Sequence, residues 1–241
     1  MINKNIKKAF ANDKTIATYV DASYRIGLWK SEKKILQKYF AKKSKILDLG
    51  CGTGRTTFSL RKLKYNNIIA ADVSPKMIQA AENIMKKTNI KQIFKIEDAS
   101  KLSFDNESFD NVFFSFNGWP GIVNSLNRIK ALNEIYRILK PNGIFIFSAH
   151  NRDEEKYNLF RNLNLDKCPE LKMKEYGDFI YKNKENVCDF MHLYTINELA
   201  NLILKKTKFK ILEIIDRDLN FKENNYVKEF SENTIFWILQ K

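Results

Sequence analysis

Apolar and aromatic side chains recur over the first forty positions at spacings that predict helices: Ile16, Tyr19, Val20 and Tyr24, then Ile35, Leu36, Tyr39 and Phe40. Beyond them the pattern changes to short apolar runs separated by helical segments. "KILDLG" is brief, apolar and stopped by glycine, which predicts a buried strand. Residues 54–64 suit a helix. "NNIIAADV" predicts a second strand, after which Ser74-Pro75 supplies an N-cap and a proline at the first helical position. Met77, Ala81, Ile84, Met85 and Thr88 carry that helix to about Lys87. "KQIFKI" and "FDNVFFSF" predict the third and fourth strands. From Ile122, the positions Leu126, Ile129, Leu132, Ile135 and Leu139 predict a long helix. "KPNG" closes it, because Pro141 cannot continue a helix and Gly143 permits a tight turn. "IFIFSAH" is the fifth strand.

Strand and helix thus alternate, and the economical architecture is α/β: a doubly wound, mostly parallel sheet. Residues 150 to about 194 break the rhythm. They are polar and aromatic and predict a hairpin, "DFIY" and "VCDFMHLY" around "KNKEN", inserted as a lid. "TINELANLILKKT" follows as a helix whose Thr195 and Glu198 form a capping box. "FKILEIIDRD" and "NTIFWILQK" are closing strands. The last has no helix before it and is expected to pair antiparallel. The organisation is an N-terminal helical cap over 1–40 and one domain over 41–241 carrying the lid.

Bulk composition narrows the setting. The 241 residues suit one large domain, and 44 % apolar residues suffice for a core. No stretch approaches the roughly 20 apolar residues of a membrane span. The first ten residues are basic but lack an apolar segment behind them, so no signal peptide is expected. Cys51, Cys168 and Cys188 are odd in number and irregularly spaced, which argues against a disulfide framework and for a reducing, cytoplasmic setting. With two histidines and no paired-cysteine motif, no metal site is expected. The net charge of +14 admits nucleic acid as a partner. Its basic residues are scattered, however, as in a chain rich in Lys, Asn and Ile throughout.

The candidate chemistry starts at "KILDLGCGTGR", residues 45–55, with glycine at 50, 52 and 54. In a doubly wound sheet the ligand lies at the carboxyl ends of the strands. A dinucleotide fingerprint would place glycine where this chain has Arg55, and a phosphate-binding P-loop would need a lysine that is absent. Asp72 ends the second strand about 18 residues beyond Gly54, a place from which an acidic side chain takes both hydroxyls of a ribose. Asp98, in "EDAS" beyond the third strand, is placed to accept from an adenine amino group. The implied ligand has a ribose and an adenine but no pyrophosphate.

"ILDLGCGTGR", "AADVSPKMIQAAE", "EDASKLSFDNESFDNVFFSF" and "ALNEIYRILKPNGIFIF" resemble, in order and spacing, the successive motifs of class I S-adenosylmethionine-dependent methyltransferases. The resemblance covers about residues 40–150 closely and the last ninety loosely. It implies a seven-stranded sheet with the last strand antiparallel, and S-adenosylmethionine as cofactor with S-adenosylhomocysteine as product. It assigns Asp48, Gly50, Cys51, Gly52 and Gly54 to the methionine end, with Asp48 at the ammonium and the backbone of Cys51 and Gly52 at the carboxylate. It assigns Asp72 to the ribose, Val73 and Met77 to the flanks of the adenine, and Asp98 and Ala99 to its edge. Ser115 and Phe116 would lie beneath the sulfonium. Tyr19, Tyr24, Arg25 and Trp29 are expected on an N-terminal helix that in similar proteins closes over the cofactor.

An activated methyl needs mainly a positioned nucleophile; an amine must be neutral, and a hydroxyl gains from a general base. The candidates for that role are His150, ending the fifth strand, His192 in the lid, and Tyr24. The fourth strand exits as "FSFNGWPG", without the Asn-Pro-Pro-aromatic or Pro-Cys elements of nucleic-acid base methyltransferases. The Lys-Asp-Lys-Glu tetrad of ribose methylation is not evident either. The expected acceptor is therefore a small molecule with a nitrogen or oxygen nucleophile, which a lid can enclose. RNA is the second reading, and a non-catalytic cofactor-binding protein the third.

Overall fold

The computed structural model describes residues 9–88, 90–160, 168, 169 and 171–241. Helix α1 (Asp13–Arg25) and α2 (Lys30–Tyr39) lead into β1 (Ile46–Leu49). Then follow α3 (Arg55–Lys62), β2 (Ile68–Asp72), α4 (Pro75–Lys87), β3 (Ile93–Ile96), β4 (Phe109–Phe114), α5 (Ser125–Ile138) and β5 (Leu139–Ala149). After β5 come α6 (Glu155–Phe160), β6 (Asp178–Lys182), β7 (Cys188–His192), α7 (Ile196–Lys206) and β8 (Lys210–Asp216). Two short helices, α8 (Arg217–Asn220) and α9 (Asn225–Phe230), precede β9 (Ile235–Gln240).

One seven-stranded sheet runs β3-β2-β1-β4-β5-β9-β8, and β6 and β7 form a separate hairpin. The first five of these strands pair parallel, whereas β9 is antiparallel to both β5 and β8. All four residues of β1 are buried, as expected of a central strand covered by helices on both faces. Strand order reverses between β1 and β4, so the carboxyl ends of β1, β2 and β4 meet at the switch point where such sheets bind ligands. One core face gathers Leu47, Leu49, Val112, Phe145, Phe147 and Trp237. The other gathers Ile46, Phe113, Ile146, Phe236 and Trp29.

The N-terminal caps follow the sequence. The Ser74 hydroxyl accepts from the Met77 N–H, and Pro75 opens α4. Thr195 and Glu198 form the reciprocal box at the start of α7. Thr195→Ala removes the hydroxyl acceptor and is expected to cost about 1 kcal/mol. A urea titration of the variant against the wild type checks this.

Three expectations are corrected. β9 does have helices before it: α8 and α9 fill the connection, and the antiparallel pairing holds regardless. "KPNG" does not follow a turn of helix but lies in β5, because the chain leaves α5 at Ile138 and Asn142 takes φ +63°. Cys168 and Cys188 form a disulfide at the turn end of the hairpin, with Cys51 left as the free thiol. Twenty residues separate the two cysteines, and it is the fold of the lid that brings them together. Among the described residues no helix is long and apolar enough to cross a membrane. The basic first eight residues lie outside the described range.

Candidate functional site

The loop after β1 is built from three left-handed glycines: Gly50 at φ +64°, Gly52 at +53° and Gly54 at +92°. Two of them are also fixed by packing. A Cβ on Gly50 would stand 2.4 Å from the Phe114 ring, and one on Gly54 2.6 Å from Phe58. Gly52 differs: a Cβ there would meet only the Tyr19 ring, at 3.7 Å. Gly50 and Gly54 shape the loop, and Gly52 turns its bare face toward α1. Asp72 closes the loop from β2. Its carboxylate accepts from the Gly52 N–H at 2.9 Å and the Ser74 N–H at 2.8 Å. The Cys51 side chain packs against Ala70, Ile78 and Phe94, and burial pushes its thiol up, so it is a packing residue.

Asp48 lies beneath the loop, fully buried. Its Oδ2 accepts from the Thr56 and Thr57 hydroxyls, while Oδ1 has no partner. Burial raises its carboxyl to about 6. An orphaned carboxylate oxygen at the base of a glycine loop suits an ammonium group.

Helix α1 roofs this loop. The Thr53 hydroxyl donates to the Tyr19 carbonyl at 2.8 Å and shares a 2.8 Å hydrogen bond with the Ser23 hydroxyl. Below the roof sits a buried ion pair that single-residue reading could not pair up. Arg55 meets Glu32 through two bonds of 2.7 Å and also donates to the Gly27 carbonyl. Glu32 further accepts from the Trp29 N–H at 2.8 Å and from the Ser115 hydroxyl. Arg55 reaches the same hydroxyl at 2.9 Å. The Ser115 hydroxyl is thus committed to this network. Trp29 is wholly buried, with the guanidinium of Arg55 5.0 Å from its ring and that of Arg217 5.2 Å away. It is a core residue pinning α2 to the sheet, and its ring meets Phe116 edge-on.

At the exit of β4, Phe116 and Asn117 both take left-handed backbone, at φ +51° and +56°. Such strain persists only where the surroundings hold it. Here they do. The Asn117 N–H donates to Ser148, and its side chain bonds His150 Nε2 at 2.8 Å and the Thr234 hydroxyl at 3.1 Å. The resulting kink sends the Phe116 ring into a cluster with Tyr19 and Phe230. His150 is therefore a positioning residue. With its Nδ1 2.6 Å from the Asn233 carbonyl, Nδ1 carries the proton and Nε2 accepts from Asn117. Burial lowers its pKa to about 4. The unfolded chain then binds a proton that the folded chain refuses, so stability falls with pH between about 6.5 and 4, by about 3 kcal/mol. Asp48, raised to about 6, acts with the opposite sign below that pH. His150→Gln is expected to flatten the acid loss. Urea midpoints at pH 7, 5.5 and 4.5 for variant and wild type check it.

The other expected bases are placed differently. His192 is buried in β7 and bonds Asp178 through Nδ1 at 2.7 Å. Glu175, Asp178 and His192 lie close enough together to suggest a metal centre. Their atoms serve the fold: Asp178 also accepts from the Lys174 and Glu175 N–H groups, and Glu175 from Ser125 and Arg128. Tyr24 is 55 % exposed, and Arg25 is an exposed partner of Asp21 over Tyr226, so neither joins the loop cluster. At the outer end, Met77 and Ala99 are buried, Val73 and Asp98 half-buried, and Asp98 Oδ1 accepts twice from Ser100.

Two residues of the lid were missed in the sequence. Asp189 of β7 accepts at 3.1 Å from the hydroxyl of Tyr181, its cross-strand neighbour in β6. Burial pushes its carboxyl up, and its charge acts on Tyr19. The available signal was an acid in mid-strand in "VCDFMHLY".

Comparison with known proteins places this geometry. Residues 46–143 match the model of a methyltransferase domain family. An uncharacterized protein of Methanocaldococcus jannaschii is 32 % identical over 185 residues, 75 % of this chain and 67 % of that one. The carboxy-S-adenosyl-L-methionine synthase of Nautilia profundicola is 28 % identical over 92 % of this chain and 95 % of its own. A solved S-adenosylmethionine-dependent methyltransferase of Methanosarcina mazei superposes with a TM-score of 0.70, at 21 % identity, over 90 % of this chain and 99 % of that one. Residues 46–143 thus carry a methyltransferase domain, and the chain has the fold of solved S-adenosylmethionine-dependent methyltransferases.

The residues present fit that cofactor on three observations. Asp48 Oδ1 is orphaned, Gly52 opens toward Tyr19, and among the described residues the Asp72 carboxylate is held by backbone N–H groups alone.

Proposed function

We propose that this chain transfers a methyl group from S-adenosylmethionine to a small-molecule acceptor through a nitrogen or oxygen nucleophile. The observation that supports the reading is that the lid hairpin is bonded to α1, which itself roofs the glycine loop.

In this reading Asp48, Asp72 and the backbone of Cys51, Gly52 and Gly54 hold the cofactor, with Gly50 shaping the turn. Val73, Met77, Asp98 and Ala99 flank its base, and Ser115 and Phe116 close the inner end. S-adenosylmethionine supplies a methyl group already activated on a sulfonium. The protein's part is to orient the acceptor and exclude water. α1 and the hairpin do this together: Thr18 donates to Glu185, and Asn183 to Thr15.

Calorimetry with S-adenosylhomocysteine tests the cofactor assignment, and one-to-one binding is expected. Mass spectrometry of reactions with S-adenosylmethionine then reads the transfer as one methyl added to the acceptor. Because a full-length relative is named as a carboxy-S-adenosyl-L-methionine synthase, a carboxylated cofactor in the same spectrum would replace the methyl-transfer reading.

A further inference from the structure

One side chain ties the glycine loop to the N-terminal helices and to the exit of β4. Arg55 follows Gly54 directly as the first residue of α3. Its Nη1 donates to the Gly27 carbonyl, in the turn between α1 and α2, and to Glu32 of α2, both at 2.7 Å. Its Nη2 donates to the other oxygen of Glu32 at 2.7 Å and to the hydroxyl of Ser115, just beyond β4, at 2.9 Å. The next two residues, Thr56 and Thr57, donate to Asp48 of β1. The first turn of α3 thus grips β1, the exit of β4 and the turn between α1 and α2. Strand order reverses between β1 and β4, so Arg55 spans the switch point.

Further contacts hold the same parts together. Ser59, one turn along α3, accepts from the Leu28 N–H at 3.1 Å. Gly27 takes φ +61°, and a Cβ there would stand 2.9 Å from that hydroxyl. Thr53, between the last two glycines of the loop, donates to the Tyr19 carbonyl of α1. Stability alone does not account for a buried ion pair at this junction, since apolar groups of similar volume are often as stable. A guanidinium offers what they lack: a rigid, planar fork of donors that meets several acceptors at once.

Resting on the cofactor assignment above, we propose that Arg55 and Glu32 are positioning residues for S-adenosylmethionine. They fix the turn between α1 and α2, and the exit of β4, relative to the glycine loop. Their effect reaches the cofactor through that loop and through Ser115. The coupling is reciprocal: a ligand that orders the loop also orders the turn that Arg55 holds.

The test separates positioning from stability and uses the full chain. Glu32→Leu with Arg55→Met exchanges the pair for apolar groups but restores none of the bonds to Gly27 and Ser115. Arg55→Lys keeps a cation opposite Glu32 but loses the fork that reaches three partners. Calorimetry with S-adenosylhomocysteine, well below the Tm of each protein, is expected to show binding roughly tenfold or more weaker than wild type in both, the size of one lost charge-assisted hydrogen bond. The double variant is expected to show this at a Tm close to that of the wild type, a split that a purely structural role would not produce. Wild-type affinity in either folded variant overturns the proposal. A wild-type measurement decides should both fail to fold: S-adenosylhomocysteine is expected to slow hydrogen exchange at the Leu28 and Trp29 N–H groups, which bond Ser59 and Glu32. Unchanged exchange at both overturns the proposal as well. Absence of S-adenosylhomocysteine binding by the wild type would instead strike the cofactor reading, and so the two failures are told apart.

Discussion

Glu32→Ala is expected to destabilise the protein by about 3–5 kcal/mol, the cost of leaving a buried charge without its partner. Glu32 and Arg55 meet through two bonds of 2.7 Å, with side chains 0 % and 8 % exposed. The alanine strands the guanidinium against Trp29 and removes the acceptor of the Trp29 N–H and the Ser115 hydroxyl. For a chain of this size the loss amounts to a fall in Tm on the order of 10 °C, read by calorimetry. The pair Glu32→Leu with Arg55→Met is expected to recover most of it, because a buried ion pair exchanged for apolar groups of similar volume is often near neutral. Failure of the double variant to recover would place the cost in lost packing around Trp29 and not in the stranded charge.

That network shows where sequence reading ran out. "KILDLG" was legible as β1 because a parallel strand covered on both faces needs an unbroken apolar run. The glycines and Asp72 were legible because their spacing along the chain is also their spacing in space. Arg55 was read only as a missing glycine. Its partner stands in another helix, 23 residues away, and only the fold brings α2 over α3. Helix phase explains Tyr24. It lies five positions beyond Tyr19, roughly 140° around the helix, and so it points to solvent. Ser23, four positions on, shares the face and meets Thr53 beside the Tyr19 carbonyl. The histidines were chosen for their chemistry, and neither is free to act as a base: His150 holds the Asn117 kink and His192 holds Asp178. Asp189 went unnoticed because a single acid in an apolar strand gains meaning only when the hairpin folds toward α1. The Cys168–Cys188 bridge was illegible for a similar reason, since an odd cysteine count hides one pair and one buried thiol.

Asp72→Ala is expected to weaken S-adenosylhomocysteine binding by about 100-fold or more while leaving the sheet intact. Two arguments converge on that size. The carboxylate accepts from the Gly52 and Ser74 N–H groups, so its removal unties the loop from the start of α4. Under the proposed reading it also loses both ribose hydroxyls. Hydrogen bonds to a charged group are worth about 1.5–3 kcal/mol each, and two of them give at least a hundredfold change in Kd. Asp72→Asn separates the contributions. It keeps one acceptor oxygen and the side-chain shape, so it is expected to hold the loop partly and bind at an intermediate level. The burial that raises the Asp72 carboxyl also sets a pH dependence. Protonation removes an acceptor, so wild-type affinity is expected to fall as pH drops toward the carboxylate range, with Asp72→Asn losing less over the same interval. Calorimetric titrations of all three proteins at pH 7.5 and pH 5 measure both effects, with thermal unfolding confirming the fold at each pH. An alanine variant that binds S-adenosylhomocysteine as tightly as the wild type would remove Asp72 from the ribose and leave it only its tie to the loop.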